Sequence, residues 1–130
     1  MLISNENIQE FINKAGSVNY YKAKEILKNN YVNIEKFQIG WEYEYIYVYA
    51  KVNNDNKNIT VNFTIDILSK NIETYHCQCN YYSSRICPHT LACILKFCED
   101  ERYEKQAIDA INQKQRESEL LKFQNFIKLP

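Results

Sequence analysis

The chain has 130 residues, enough for one compact domain that buries about two-thirds of its unfolded surface. Lysine plus arginine and aspartate plus glutamate number 16 each, so the net charge of zero argues against an electrostatic grip on nucleic acid along the whole chain. Only two glycines occur, and no phosphate-binding glycine-rich motif is present, which excludes a P-loop ATPase within this sequence.

The cysteine content favours metal binding over disulfide formation. The sequence has no signal-peptide pattern and no apolar run approaching the roughly 20 residues of a membrane span, so we expect a cytoplasmic, reducing location. In that setting, the five closely spaced cysteines are better explained as metal ligands than as disulfide partners.

Two short helices are predicted at the start of the chain. Residues 5–15 have apolar side chains at helical spacing, with Ser4 or Asn5 as the cap. Residues 17–29 are predicted to form the second helix, with Ser17 as its cap and a stop at Asn29 and Asn30.

Strands follow, and their patterns predict an antiparallel meander over residues 31–39, 41–52, 59–67 and 72–76. The apolar positions of the first strand change phase near Glu35 and Lys36, which predicts a bulge. The polar residues 53–58 predict a hairpin turn.

The strand over residues 41–52 has aromatic side chains on one face and aliphatic ones on the other. Its aromatic positions are Trp41, Tyr43, Tyr45, Tyr47 and Tyr49. We expect both faces to pack within the fold, because Glu42 and Glu44 are unfavourable next to phosphates. A platform on which nucleic-acid bases stack is the alternative.

Two closely spaced pairs form the candidate metal site, Cys77-Gln78-Cys79 and Cys87-Pro88-His89. Residues two apart in extended backbone point the same way, so Cys77 and Cys79 can bind one ion. We place Cys87 at a helix cap and His89 in the first turn of that helix. Three thiolates and one imidazole suit tetrahedral Zn²⁺ and leave no open position, which predicts a structural site.

The other cysteines and the second histidine have simpler explanations. Cys93 and Cys98 lie on the apolar side of the helix predicted over residues 88–98, where free cysteine is often a small core residue. His76 is an alternative ligand, but we expect a solvated strand residue.

A charged helical segment is predicted from about 101 to 127. After a polar gap it has a second apolar group, which either folds back onto the domain or forms a docking helix: Leu120, Leu121, Phe123, Phe126 and Ile127.

The pattern C-x-C followed by C-x-H resembles the signature of the SWIM zinc finger. The resemblance covers about residues 17–98 and includes Tyr20-Tyr21, the strands before the cysteines and the apolar helix after His89. SWIM modules occur in transposase-related proteins, in ubiquitin-ligase-type proteins and near the N-terminus of bacterial Swi–Snf-type helicases. The N-terminal region of the Swi–Snf-type helicases has the most similar arrangement of elements. This resemblance implies a zinc-binding domain over 1–99 and a helical extension or linker over 100–130.

We therefore expect an α+β fold with short N-terminal helices, an antiparallel β-meander, a zinc-bound loop followed by a helix, and a C-terminal helical segment. The resemblance implies an interaction module for DNA or protein, accessory to a helicase whose ATPase region would follow. Contact with DNA would be weak and nonspecific, centred on Tyr81, Tyr82 and Arg85. A protein partner or the ATPase region could instead bind the C-terminal helix.

No catalytic constellation is visible, since both histidines lie at the predicted metal site, and we expect no enzymatic activity. Two alternatives stay open. A cytosolic thiol redox protein would use Cys77 and Cys79 and would need an exposed, low-pKa thiolate. A protein-only adaptor would not bind nucleic acid at all.

Overall fold

The computed structural model describes residues 2–40, 42, 44–54, 56–79 and 86–128, without the side chains of residues 54 and 122–128. Within these ranges the helices and strands are α1 (Asn5–Ala15), α2 (Ser17–Lys28), β1 (Val32–Ile39), β2 (Tyr45–Asn54), β3 (Lys57–Asp66), β4 (Asn71–Cys77), α3 (Pro88–Glu99) and α4 (Glu101–Lys128).

The fold is α+β, as the sequence predicts. The four strands form one antiparallel sheet in the order β1-β2-β3-β4, which is a meander. The helix α3 contacts every strand, and α1, α2 and α4 pack around it. The candidate metal site therefore lies between the last strand and the central helix.

One face of the sheet forms the core with α3. Alternate residues of β2 and β3 are buried opposite each other, in the pairs Ile46–Ile65, Val48–Phe63 and Ala50–Val61. On the helix side, Phe97 makes edge contacts with the rings of Phe37 and Phe63. Apolar burial of this kind stabilises a fold by about 25 cal/mol per Å².

The tyrosines of β2 lie on the opposite face of the sheet. Tyr47 is 39% exposed, and Lys36 lies over the ring of Tyr49, 4.9 Å from its centre. The expectation that the aromatic face packs inside the fold is thus wrong for Tyr47, because α3 covers only the aliphatic face.

The start of the aromatic strand was also predicted too early. β2 begins at Tyr45, after a turn at Glu42 and a bend at Glu44. The predicted strand positions Trp41 and Tyr43 lie outside the described residues.

The helix ends confirm one predicted cap and correct another. The Ser4 hydroxyl accepts a hydrogen bond from the Asn7 amide (3.2 Å), so Ser4 caps α1. Ser17 is not the cap of α2, because Gly16 takes that position with φ 87°. This left-handed backbone conformation suits glycine and lets α2 follow α1 with a single residue between them.

The irregularity predicted near Glu35 is confirmed by a register shift between Ile34 and Lys36. The β2–β3 hairpin is tighter than the polar run suggests, since β2 extends to Asn54 and β3 begins at Lys57. Asn56 has φ 64°, a turn conformation that asparagine tolerates well.

The first turns of α4 belong to the core, and later ones do not. Tyr103 stacks on Phe97, and Ala107 is fully buried. Leu120 and Leu121 are 56% and 60% exposed, so of the two alternatives for this group, folding back onto the domain does not hold for these two residues. The side chains of Phe123, Phe126 and Ile127 lie outside the description. Among the described residues, no helix is long and apolar enough to cross a membrane.

Candidate metal centre

The strand β4 presents Cys77 at its end. Cys77 pairs with Val61 of β3, so its side chain shares the core face of the sheet. One residue later, Gln78 holds Thr60 by two hydrogen bonds: the Gln78 amide donates to the Thr60 carbonyl (3.0 Å), and the Thr60 amide donates to the Gln78 side-chain oxygen (3.1 Å). These two hydrogen bonds fix the backbone at the point where the chain turns towards Cys79.

The start of α3 presents the second pair. Cys87 is the N-cap residue in extended conformation, and its sulfur accepts a hydrogen bond from the Thr90 amide at 3.4 Å. Pro88 is the first helical residue, where its missing N–H leaves no unmade bond. Cys87 is 5% exposed, so this candidate ligand belongs to the core. The predicted placement of Cys87 at the cap and His89 in the first turn is confirmed.

The two pairs meet. One potential ligand atom from each of Cys77, Cys79, Cys87 and His89 lies within 4.8 Å of all the others. A tetrahedral Zn²⁺ with Zn–S bonds of about 2.3 Å holds its ligand atoms about 3.8 Å apart. The four residues are therefore close enough to hold one metal ion after small side-chain movements.

The histidine supplies an independent sign that a metal fits here. Nδ1 of His89 is buried, and no described residue forms a hydrogen bond with it. A buried polar atom without a hydrogen-bond partner costs about 1–3 kcal/mol, so such atoms are rare unless something binds them. A metal ion among three sulfurs would satisfy this nitrogen, and the donor set fits Zn²⁺.

The cysteines of the cluster influence each other's protonation. The hydrogen bond between the Cys77 and Cys87 sulfurs raises the pKa of the Cys77 thiol and lowers the pKa of Cys87. The neighbouring His89 side chain and the hydrogen bonds from Thr90 also lower the pKa of Cys87, whereas burial raises it. In the metal-free protein the two sulfurs therefore share a hydrogen bond, and a bound metal would displace its proton.

The remaining candidates lie outside the four-residue cluster. His76 is an exposed residue of β4, paired with Asn62, and so is a solvated strand residue rather than a ligand. Cys93 is fully buried, and Cys98 packs against the core. Burial raises the pKa of each of these two thiols to about 12, which keeps them protonated.

Three predicted contact residues cannot be placed. Tyr81, Tyr82 and Arg85 lie in the segment 80–85, outside the described residues. Two buried polar residues near the site were not predicted from the sequence. Thr90 lies three residues after Cys87, a spacing typical of helix caps that could have indicated it. Asn19 bonds to Ile86, 67 positions away, and no local pattern indicates that contact.

No protein-family model matches the chain, and no curated protein or solved structure shows a significant match to it.

Proposed function

We propose that this chain is a zinc-binding interaction module of the SWIM type. The ligands would be the sulfurs of Cys77, Cys79 and Cys87 and the Nδ1 atom of His89. The observation that carries the proposal is the approach of the four ligand atoms to within 4.8 Å of one another. Zinc is favoured over other metals because three thiolates and an imidazole in a compact cluster match its usual tetrahedral sites.

The role of the ion would be structural. Four protein ligands fill a tetrahedral shell, so no position is left for a substrate or an activated water. The ion would join the end of β4 to the start of α3 and fix both ends of the loop between them. Zinc-finger peptides gain about 10–16 kcal/mol from such binding, which here would support a local part of a larger core. A closed site of this kind supports a binding role rather than catalysis at the ion.

We propose that the partner of this module is DNA, bound weakly and without sequence preference. We also propose that the module is accessory to a Swi–Snf-type helicase. The support is the resemblance of the ligand pattern and its flanking elements to that family. Within the sequence, the loop between the ligand pairs contains Tyr81, Tyr82 and Arg85 and no acidic residue. Tyrosine can stack on bases and arginine can bind phosphate, and the metal would hold this loop in place.

The metal proposal is tested by elemental analysis of protein purified without oxidation. We expect about one zinc per chain, as a site with four protein ligands requires. Adding a strong chelator while following circular dichroism should then show loss of structure. Protein that holds no metal and has freely reactive thiols would contradict the proposal and would favour the redox alternative.

The DNA proposal is tested with a charge reversal in the loop. Arg85→Glu should weaken binding to a duplex of arbitrary sequence, and binding of the wild type should weaken with rising salt. Lys105→Glu is the control. It makes the same change of net charge at an exposed position of α4, beyond the end of α3 that lies away from the metal site. If both variants bind DNA as the wild type does, the loop is not the contact; if the wild type fails to bind, the adaptor without nucleic-acid contact is favoured.

A further inference from the structure

Two buried polar side chains contact the α3 half of the metal centre. Thr90 is 1% exposed, and its hydroxyl lies 3.1 Å from the Cys87 sulfur, in addition to the bond from its amide. The sulfur of Cys87 therefore has two contacts from the same residue. Polar side chains are rarely buried this deeply unless they are hydrogen-bonded.

The second residue acts on the backbone before Cys87. Asn19 of α2 is 6% exposed, and its side-chain nitrogen donates to the Ile86 carbonyl at 3.0 Å. This bond fastens the last residue before the helix cap to a neighbouring helix. Because Asn19 lies in α2, this bond ties the end of the segment between the ligand pairs to the helical part of the fold.

We propose that Thr90 and Asn19 are positioning residues that hold Cys87 ready for the metal before the metal binds. This inference rests on the proposed metal site. A metal-bound cysteine is a thiolate and has no hydrogen, so the Thr90 hydroxyl must be the donor in that state. Thr90 fixes the direction of the sulfur, and Asn19 fixes the backbone that carries it.

The two ligand pairs would therefore differ in how well they are positioned before the metal binds. The Cys87–His89 pair is set by the fold, whereas Cys77 and Cys79 approach it from the strand. Partners that orient metal ligands typically change the metal affinity about 10- to 100-fold when they are removed. Thr90 touches the ligating sulfur itself, so its loss should have the larger effect of the two residues.

The hydroxyl is tested with Thr90→Val, which keeps the shape of the side chain and removes the donor. In competition against a chromophoric zinc chelator, we expect the zinc affinity to fall by about 10- to 100-fold. Thr90→Ser restores the donor and should restore most of the affinity. Thr64→Val is the matched control, since Thr64 is bonded to Thr74 on the opposite face of the sheet.

Cobalt spectra separate a hydrogen bond to sulfur from a general loss of packing. A hydrogen bond withdraws electron density from a thiolate, so its removal should move the sulfur-to-Co²⁺ charge-transfer band to longer wavelength. We expect this shift for Thr90→Val and its absence for Thr90→Ser and Thr64→Val. An unshifted band with unchanged affinity in Thr90→Val would overturn the role of the hydroxyl, and so would equal loss of affinity in the valine and serine variants.

The hydrogen bond from the Asn19 side chain to the Ile86 carbonyl is tested separately with Asn19→Ala. We expect weaker zinc binding with an unshifted cobalt band, because this variant loosens the backbone and leaves the sulfur contact intact. Asn13→Ala on the exposed side of α1 is the control. Wild-type affinity in Asn19→Ala would overturn its positioning role. Failure of the wild type to bind zinc or cobalt would instead remove the proposed metal site itself, so the two failures are distinguishable.

Discussion

The two halves of the candidate metal centre are built differently. Cys87 is buried and caps α3, a helix whose buried residues contact all four strands. Cys77 and Cys79 are partly exposed. Cys77 is the last residue of β4, whose residues are exposed or only partly buried, and Cys79 lies two residues further on. β4 is also an edge strand, so it has a hydrogen-bonded strand neighbour on one side alone.

This difference indicates what a bound metal would do. The α3 pair is fixed by core packing with or without an ion. An ion would add to the hydrogen bond that Cys77 already shares with Cys87, and would join Cys79 to α3 as well. Metal binding should thus stabilise the exposed edge of the sheet and the loop, and change the buried core little.

The largest effect is expected from Cys87→Ala, because this change removes both a ligand and the helix cap. Zinc should no longer be bound stoichiometrically. Even with chelator present, the free energy of unfolding should fall by about 1 kcal/mol, the typical value of an N-cap. Urea denaturation with and without chelator measures both effects. A chelated variant as stable as the chelated wild type would show that the cap contact contributes nothing.

A smaller effect is expected from Cys79→Ala, which removes a ligand from the exposed half. The zinc affinity should fall by more than the roughly 10- to 100-fold caused by loss of a supporting contact. With chelator present, the loss of stability should be smaller than for Cys87→Ala, because Cys79 caps no helix. The same urea series checks this, and an equal drop in the two chelated variants would contradict the proposed difference between the halves.

Zinc affinity should also depend on pH. The hydrogen bond to Cys87 raises the pKa of Cys77, so the metal-free protein keeps this proton at neutral pH. Zinc must displace it, and protons therefore leave on binding; affinity rises with pH and falls as the solution is acidified. Competition titrations between about pH 6 and 8 should show release of at least about one proton per zinc. A flat profile would mean that the cluster is already fully deprotonated.

The sequence predicted the architecture well where local patterns govern it. The limits of α1, the bulge at Glu35, the order of the strands and the start of α3 at Pro88 all follow from caps, phase changes and turn residues. The four clustered residues were also predicted as candidate ligands, because the spacing within each pair brings its two side chains together.

Other features depend on contacts between distant segments, which local patterns do not show. The exposure of Tyr47 follows from helices covering a single face of the sheet. Gly16 replaces Ser17 as the cap because α1 and α2 follow each other so closely. The contact between Asn19 and Ile86 joins residues 67 positions apart. Local patterns in one sequence give no signal for such a pair.

The smallest effect on metal binding is expected from Cys93→Ala. Cys93 lies one helical turn after His89 and is fully buried, yet it is not among the four clustered residues. The variant should lose about 1 kcal/mol of stability, as other small truncations in a core do, and should bind zinc with unchanged affinity. Zinc competition and urea denaturation on one preparation test both parts. A fall in affinity comparable to that of Cys79→Ala would make Cys93 a ligand, and the site would then include a second turn of α3.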